Sequence, residues 1–258
     1  MNDLVSIITP SYNTACFLRE TIECVLAQTY TNWEMLIVDD CSTDETDDVV
    51  ASFADARIRY FKNDRNRGAA YSRNFALREA RGRWIAFLDS DDLWTPDKLE
   101  RQIRFMEENG FAFSYTNYVE MDEDGNRLPV LWTGPRKIGR FRMRLFNFMG
   151  CLTVMYDREI VGLLQIADLK KRNDYALWIQ ASKKASAYLL PETLAVYRVR
   201  RGGSITNRSQ SPLRLVKFHY ALWRTGEKLN PVSALFWTAV NLVCGFLKKY
   251  IYKKKTVS

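Results

Sequence analysis

An α/β architecture with a Rossmann-like, mainly parallel sheet is predicted by three features of this chain. Apolar runs of strand length alternate with stretches of helical periodicity through the first 110 residues. Three of these runs end in polar clusters, "TPSYN", "VDDCSTD" and "LDSDD". In open parallel sheets the carboxyl ends of the strands form the ligand-binding rim, so the three clusters are expected along one edge.

The run Leu4 to Pro10, "LVSIITP", reads as a buried strand, followed by Phe17, Leu18, Ile22, Val25 and Leu26 at helical spacing. "EMLIVDD" is a second strand, and Ser42 or Thr43 is placed to cap a helix running to Phe53. "RIRYFKN" is a third. A helix "AAYSRNFALREA" follows Gly68 and is expected to stop at Gly82. "RWIAFL" is the fourth strand. Pro96 then opens "PDKLERQIRFMEEN", with Asp92 or Thr95 as its cap and Gly110 as its stop. The second half is less regular: a hairpin turning at Asp124-Gly125, a strand in "CLTVMYDRE", and a helix "NDYALWIQASKKA" capped by Asn173 or Asp174.

Composition bounds the function. At 47% hydrophobic and 26% charged the chain is globular, and its net charge of +8 suits a polyanionic partner: nucleotide phosphates, nucleic acid or an anionic membrane. Five cysteines without a CxxC pair fit free thiols in a reducing compartment, and the N-terminus lacks the pattern of a signal peptide. His219 is the one histidine, which removes His-rich zinc sites and leaves oxygen ligands for any metal. In its amphipathic stretch it reads as a packing residue. The apolar segment Val232 to Leu247 precedes "KKYIYKKK". As a helix its sixteen residues span about 24 Å, short of a bilayer core but suited to lying at a membrane interface. The plain alternative is a core-packing helix with a solvated lysine tail.

The acidic clusters carry the chemistry. In "FLDSDD", Asp89 and Asp91 can share one hard divalent cation, Mg²⁺ or Mn²⁺, with positions left for phosphate oxygens. In "VDDCSTD", Asp40 is an acceptor-only group able to take the N3–H of a uracil ring. In "NRGAAYSRN", Gly68 gives the chain freedom and Arg73 can reach nucleotide or phosphate. Asp174, beside apolar Tyr175, Leu177 and Trp178, suits a general base. Each motif also has a plain reading as a helix cap or solvated loop.

Taken in order, "SIITPSYN", "VDDCSTD", "NRGAAYSRN", "ARGRWIAFLDSDD", then "ND" and "YRVRRGGSIT" resemble glycosyltransferase family 2 across residues 4 to 206. The resemblance implies a GT-A fold and single, inverting sugar transfer from a nucleotide-sugar, expected to be a UDP-sugar. By position, Thr9, Pro10, Tyr12 and Asn13 would border base and ribose, with Asp40 reading the base. Ser42, Gly68, Arg73, Ser90 and Arg200 would complete the donor site. Asp89 would lie by ribose or phosphates and share the metal with Asp91, the ligand on the diphosphate. Asp174 would be the catalytic base. Two departures stand out: Asn173 replaces the usual Glu, and Arg200 stands where the family has His and cannot ligate a cation.

The organisation expected is a glycosyltransferase domain over 1–210, with a nucleotide-binding half (1–110) and an acceptor-binding half (111–210). A helical, membrane-associating segment over 211–258 follows. The acceptor would be a glycan or lipid-diphosphate-linked oligosaccharide in surface-polysaccharide assembly at the cytoplasmic membrane face, with no nucleic acid involved. The rival readings are a catalytically degenerate nucleotide-sugar-binding module, a nucleotidyltransferase, for which "TPSYNTACF" supplies no triphosphate loop, and a nucleic-acid binder, which the acidic rim disfavours.

Overall fold

The computed structural model describes residues 3–167, 169, 171–200 and 212–255. The part of "YRVRRGGSIT" after Arg200 and the expected boundary at residue 210 lie outside the described residues.

Four parallel strands form the centre of the sheet: β1 (Val5–Ser11), β2 (Trp33–Asp39), β3 (Ile58–Lys62) and β4 (Trp84–Phe87), in the order β3-β2-β1-β4. Every residue of β1, β2 and β4 is buried, as expected where helices cover both faces. The pleat divides them between two cores. Ile8, Leu36 and Phe87 face one side, while Ile7, Met35 and Ala86 face the other, against α1 (Ala15–Leu26) and α4 (Lys98–Asn109).

The linking helices are shorter than the pattern suggests. α2 covers Thr46–Ala51 only; Asp44 accepts the Thr46 N–H at 3.3 Å, so neither Ser42 nor Thr43 caps it. α3 (Ala69–Glu79) ends before Gly82, whose role is different. A Cβ at Gly82 would stand 2.5 Å from the Leu4 carbonyl oxygen, so this glycine permits close approach to β1. β5 (Leu93–Trp94) comes between β4 and α4. Asp92 accepts the Arg198 N–H at 3.0 Å instead of capping α4. The Thr95 hydroxyl bonds Asp97 at 2.8 Å.

Beyond α4 the sheet becomes mixed. β6 (Phe113–Met121) and β7 (Arg127–Trp132) form the expected hairpin, with Gly125 at φ 85°. After β8 (Lys137–Ile138), α5 (Arg140–Leu145) and a 3₁₀ turn at Cys151–Thr153, β9 (Met155–Asp157) inserts antiparallel between β4 and β6. α6 (Arg158–Val161) and α7 (Asn173–Ser182) lead to β10 (Ala187–Arg198), which runs parallel to β6. Neither Asn173 nor Asp174 caps α7, because the cap position falls on Arg172 in the left-handed region.

The C-terminal segment packs on this body. α8 (Pro212–Ala221) and a π-turn at Leu222–Gly226 lead to α9 (Pro231–Tyr252), and β11 (Lys253–Lys254) pairs with β7. α9 continues through the first lysines, and its 22 residues span about 33 Å, longer than the sixteen-residue apolar run implied. Fully buried Asn241 fixes its inner face. The side-chain amide donates to the Arg144 and Leu145 carbonyls at 2.7 and 2.9 Å, and its oxygen accepts the Trp223 indole N–H at 3.1 Å. That oxygen also lies 3.1 Å from His219 Nδ1, so Nδ1 carries the proton. His219 is therefore a packing residue, as its surroundings in the sequence suggested.

Burial, then the charge of Arg172, push His219 down to about 4 from its ordinary 6.5. Between those values the unfolded chain binds the extra proton and the folded chain does not. Stability should therefore fall by about 3 kcal/mol as pH drops from about 6.5 to about 4, and this contribution levels off below that. Urea unfolding should show a shallower decline in His219→Gln across this window; identical pH slopes in both proteins would contradict the account.

Candidate active site

The three polar clusters do meet at the carboxyl ends of β1, β2 and β4. After β1, Asn13 adopts a positive φ of 50°, and its backbone N–H reaches Ser42 Oγ at 2.8 Å. Its side-chain oxygen accepts the Thr43 N–H at 2.9 Å. Pro10 and Thr9 lie within buried β1, whereas Tyr12 is exposed at the rim. Ser42 donates both its N–H and its hydroxyl to Asp39. Ser90 points inward, with its oxygen 2.8 Å from Thr14 Oγ1, and so ties β4 to the start of α1.

Asp40 is buried and holds the loop before α3. One oxygen accepts Asn63 Nδ2 and the Arg67 N–H, both at 2.8 Å; the other accepts the Gly68 N–H at 2.6 Å. A carboxylate has about four acceptor positions. Asp40 therefore retains capacity for one more donor while it sets the φ 86° turn at Gly68.

Arg73 links the two halves of the site. Projecting from α3 and buried, it pairs with Asp89 at the end of β4 and donates to Asn173 Oδ1 at 2.7 Å. Burial works against its charge, but Asp89, together with Cys151 and Asp174 nearby, holds the guanidinium above its ordinary range. Asn173 thus accepts from an arginine through a neutral amide.

The crowded carboxylates of "DSDD" are resolved in three ways. Asp89 takes Arg73. Asp91 lies 3.4 Å from Arg200; burial and the Asp89 charge raise its pKa, and Arg200 opposes them. Asp92 is sealed beneath, and burial, followed by the charges of Asp91 and Asp89, drives its pKa well above the carboxylate range. Its Oδ2 has no hydrogen-bond partner among the described residues, so nothing at that oxygen offsets the cost of burying a charge. Asp89 and Asp91 remain partly exposed, with side-chain exposures of 29% and 20%. Two adjacent oxygen donors, one of them short of compensating charge, fit a divalent ion that keeps water or phosphate oxygens in its remaining positions. Among the described residues no cluster of three or more acidic, Cys or His side chains suits a metal.

Asp174 stands in the first turn of α7, and its Oδ2 accepts Asn147 Nδ2 at 3.0 Å. Sequence reading missed Asn147, which lies in an irregular stretch between α5 and the 3₁₀ turn and carries no periodic signal. It also missed Arg198. That side chain is buried over the Phe17 ring, 4.7 Å from its centroid, donates to the Asp91 carbonyl at 3.0 Å and pairs with Glu20. Only the neighbouring "RVRR" hinted at it. Lys248 of α9, expected in the basic flank of an interfacial helix or, in the alternative, in a solvated tail, donates to the Asn147 carbonyl at 2.7 Å.

The glycosyl transferase family 2 pattern matches residues 6–161. TuaG of Bacillus subtilis (strain 168), which carries a teichuronic-acid-biosynthesis name, is 40% identical over 249 residues, 95% of this chain and 97% of its own. WfgD of Escherichia coli, named as a UDP-Glc:α-D-GlcNAc-diphosphoundecaprenol β-1,3-glucosyltransferase, is 37% identical over 259 residues, covering 98% of this chain and 97% of its own. Among solved structures, Staphylococcus aureus TarS residues 1–349 with UDP-GlcNAc superposes at TM-score 0.71, with 20% identity over 94% of this chain and 72% of that one. A Pyrobaculum calidifontis mannosyltransferase with GDP-Man and Mn²⁺ gives 0.63, with 18% identity over 96% of this chain and 76% of that one. With the GT-A fold, relatives 40% and 37% identical along nearly its whole length and a matching family pattern over more than half of it, the chain belongs to glycosyltransferase family 2.

Proposed function

We propose that the protein transfers one hexose from a UDP-sugar, with UDP-glucose the first candidate, to a hydroxyl of a lipid-diphosphate-linked glycan in bacterial surface-polysaccharide assembly. The observation that carries the reading is the Asp89–Arg73–Asn173 bridge, which places the end of a donor-side strand against the helix that bears Asp174. The printed names of WfgD and WfaP, the latter 38% identical over 242 residues, support the donor and acceptor classes. Their β linkage is the product expected when an α-linked donor reacts with inversion.

In this reading Asp174 takes the proton of the acceptor hydroxyl as that oxygen bonds to the anomeric carbon. The bond from that carbon to the diphosphate breaks on the opposite face, and its electron pair leaves with UDP. Asp40 and the loop it fastens border the base, and Arg73 holds Asp89 in place near the ribose and phosphates. A divalent cation held by Asp91 and Asp89 would supply positive charge to the departing diphosphate. Arg200, already beside Asp91, supplies a fixed positive charge at the same edge and does not depend on a metal.

The protein is further proposed to sit on the cytoplasmic membrane surface. α9 is long and apolar enough to cross a bilayer by length and composition, with mean hydropathy 1.3. Its inner stripe, however, is held by Asn241, and a spanning helix would have to break those bonds. The outward face exposes Leu235, Phe236, Val243, Phe246 and Tyr250; Phe141 of α5 is also exposed. Arg140, Arg142, Lys249 and Lys254 are exposed on the same two elements and the strand that follows, which suits a helix lying among anionic headgroups.

Three outcomes are expected. Asp174→Asn should lower turnover by about 10²- to 10⁴-fold, with UDP affinity by calorimetry essentially unchanged; near-normal turnover would remove Asp174 from the role of base. Asp91→Ala should abolish the gain in UDP-glucose affinity on adding Mn²⁺; a gain equal to wild type would exclude Asp91 as a ligand. In flotation with anionic vesicles, Leu235→Ser/Phe246→Ser should weaken binding by about 3 kcal/mol, roughly 100-fold. Unaltered flotation would show that another surface meets the lipid.

A further inference from the structure

α9 has a second face, whose contacts reach the loop beside Asp174. Ala234, Thr238 and Asn241 are buried along its inner stripe, and Gly245 and Lys248 continue the same spacing of three and four. At this end the stripe meets the loop Phe146–Phe148. A Cβ at Gly245 would stand 2.5 Å from the Phe146 ring, so the glycine lets the ring close on the helix. Lys248 Nζ sits 4.8 Å from the centre of that ring and 5.2 Å from that of Trp132 while donating to the Asn147 carbonyl at 2.7 Å. One turn on, the Tyr252 ring packs edge-on against Phe148 at 5.7 Å.

The loop held in this way is the one whose amide reaches the proposed base. Asn147 is buried, its Nδ2 donates to Asp174 Oδ2 at 3.0 Å, and its own oxygen accepts the Met149 N–H at 3.2 Å. Lys248 therefore stands two hydrogen bonds from Asp174, and the path runs through one residue. We propose that Lys248 is a positioning residue for glycosyl transfer: by holding the Asn147 carbonyl it sets the amide that orients Asp174, so α9 is part of the catalytic scaffold as well as the face offered to lipid. The inference rests on the assignment of Asp174 as base. Burial, then the nearby charge of Arg172, bring the ammonium down to about 7, with Asp174 acting in the opposite direction, which agrees with a position inside the charge field of the site.

The test uses the full-length protein, UDP-glucose and a GlcNAc diphosphate on a short, water-soluble alkyl chain, so that no bilayer is needed. Lys248→Met should lower kcat by about 10- to 100-fold, the scale of a misplaced catalytic group, with KM for UDP-glucose unchanged. Lys248→Arg, which restores a donor, should recover most of the loss. Combined with Asn147→Ala, Lys248→Met should add nothing further, because both act through one path. Hydrogen exchange in residues 146–149, read on the same samples, should accelerate in Lys248→Met and not in Lys248→Arg. Should Lys248→Met fail to fold, Gly245→Ala, which pushes the Phe146 ring from its seat, should show the same loss of kcat and faster loop exchange.

An active Asp174→Asn in this assay would overturn the base and leave the clamp without its catalytic object. An inactive Asp174→Asn beside a Lys248→Met of wild-type kcat would overturn the Lys248 inference alone. Unaltered loop exchange in both Lys248→Met and Gly245→Ala would overturn it as well, whatever the acceptor.

Discussion

A buried arginine joins the two halves of this enzyme. Arg73 is taken out of water by α3, and a guanidinium there is tolerable only with a carboxylate and further acceptors close by. Asp89 supplies the charge and Asn173 the second acceptor, so the arginine fixes the end of β4 relative to the start of α7. Removing Asp89 would leave an uncompensated cation in the core, a far larger cost than the loss of one surface pair, whereas removing the Asn173 amide would leave one buried N–H of the guanidinium without its acceptor. The neutral Asn173 suits this arrangement because one carboxylate already balances the guanidinium.

The same economy of charge governs the rim. Asp89, Asp91 and Asp92 stand within four residues but meet three different environments: a buried arginine, a partly exposed arginine, and an enclosed backbone N–H. Coulomb repulsion among three neighbouring anions is relieved by unequal burial, which raises the pKa of enclosed Asp92 and leaves Asp89 and Asp91 as the two partly exposed carboxylates. The β10 end delivers both Arg198 and Arg200 over Phe17, so the irregular half of the chain completes a site begun by the regular half.

The C-terminal helix shows how one amphipathic element can face two ways. Its apolar outer residues are too numerous to be incidental on a surface, while its inner stripe is small and polar: Ala234, Thr238, Asn241 and Gly245. Small residues bring α9 close to α5 and to the loop after it, and Asn241 spends all its hydrogen-bonding capacity on neighbouring elements. A helix designed only to enter lipid would not carry that stripe.

The alternation of apolar runs and helical periods made the central sheet legible, because strands buried on both faces must be continuously apolar and their polar ends must fall at the rim. Asp40, Asp89, Asp91 and Arg73 were visible for the same reason: each closes or follows a run whose direction is set by the parallel crossovers. What the sequence could not determine was partnership. Asn173 bonding Arg73 across one hundred residues, Asp92 accepting from Arg198 instead of capping a helix, and Lys248 reaching the Asn147 carbonyl all depend on contacts between segments that carry no local signal of one another. Periodicity is a property of neighbouring residues and survives in the chain itself. Burial and charge pairing arise only when distant segments are packed together, so the tertiary structure alone decided which carboxylate is enclosed, which amide meets Asp174 and which face of α9 stays exposed.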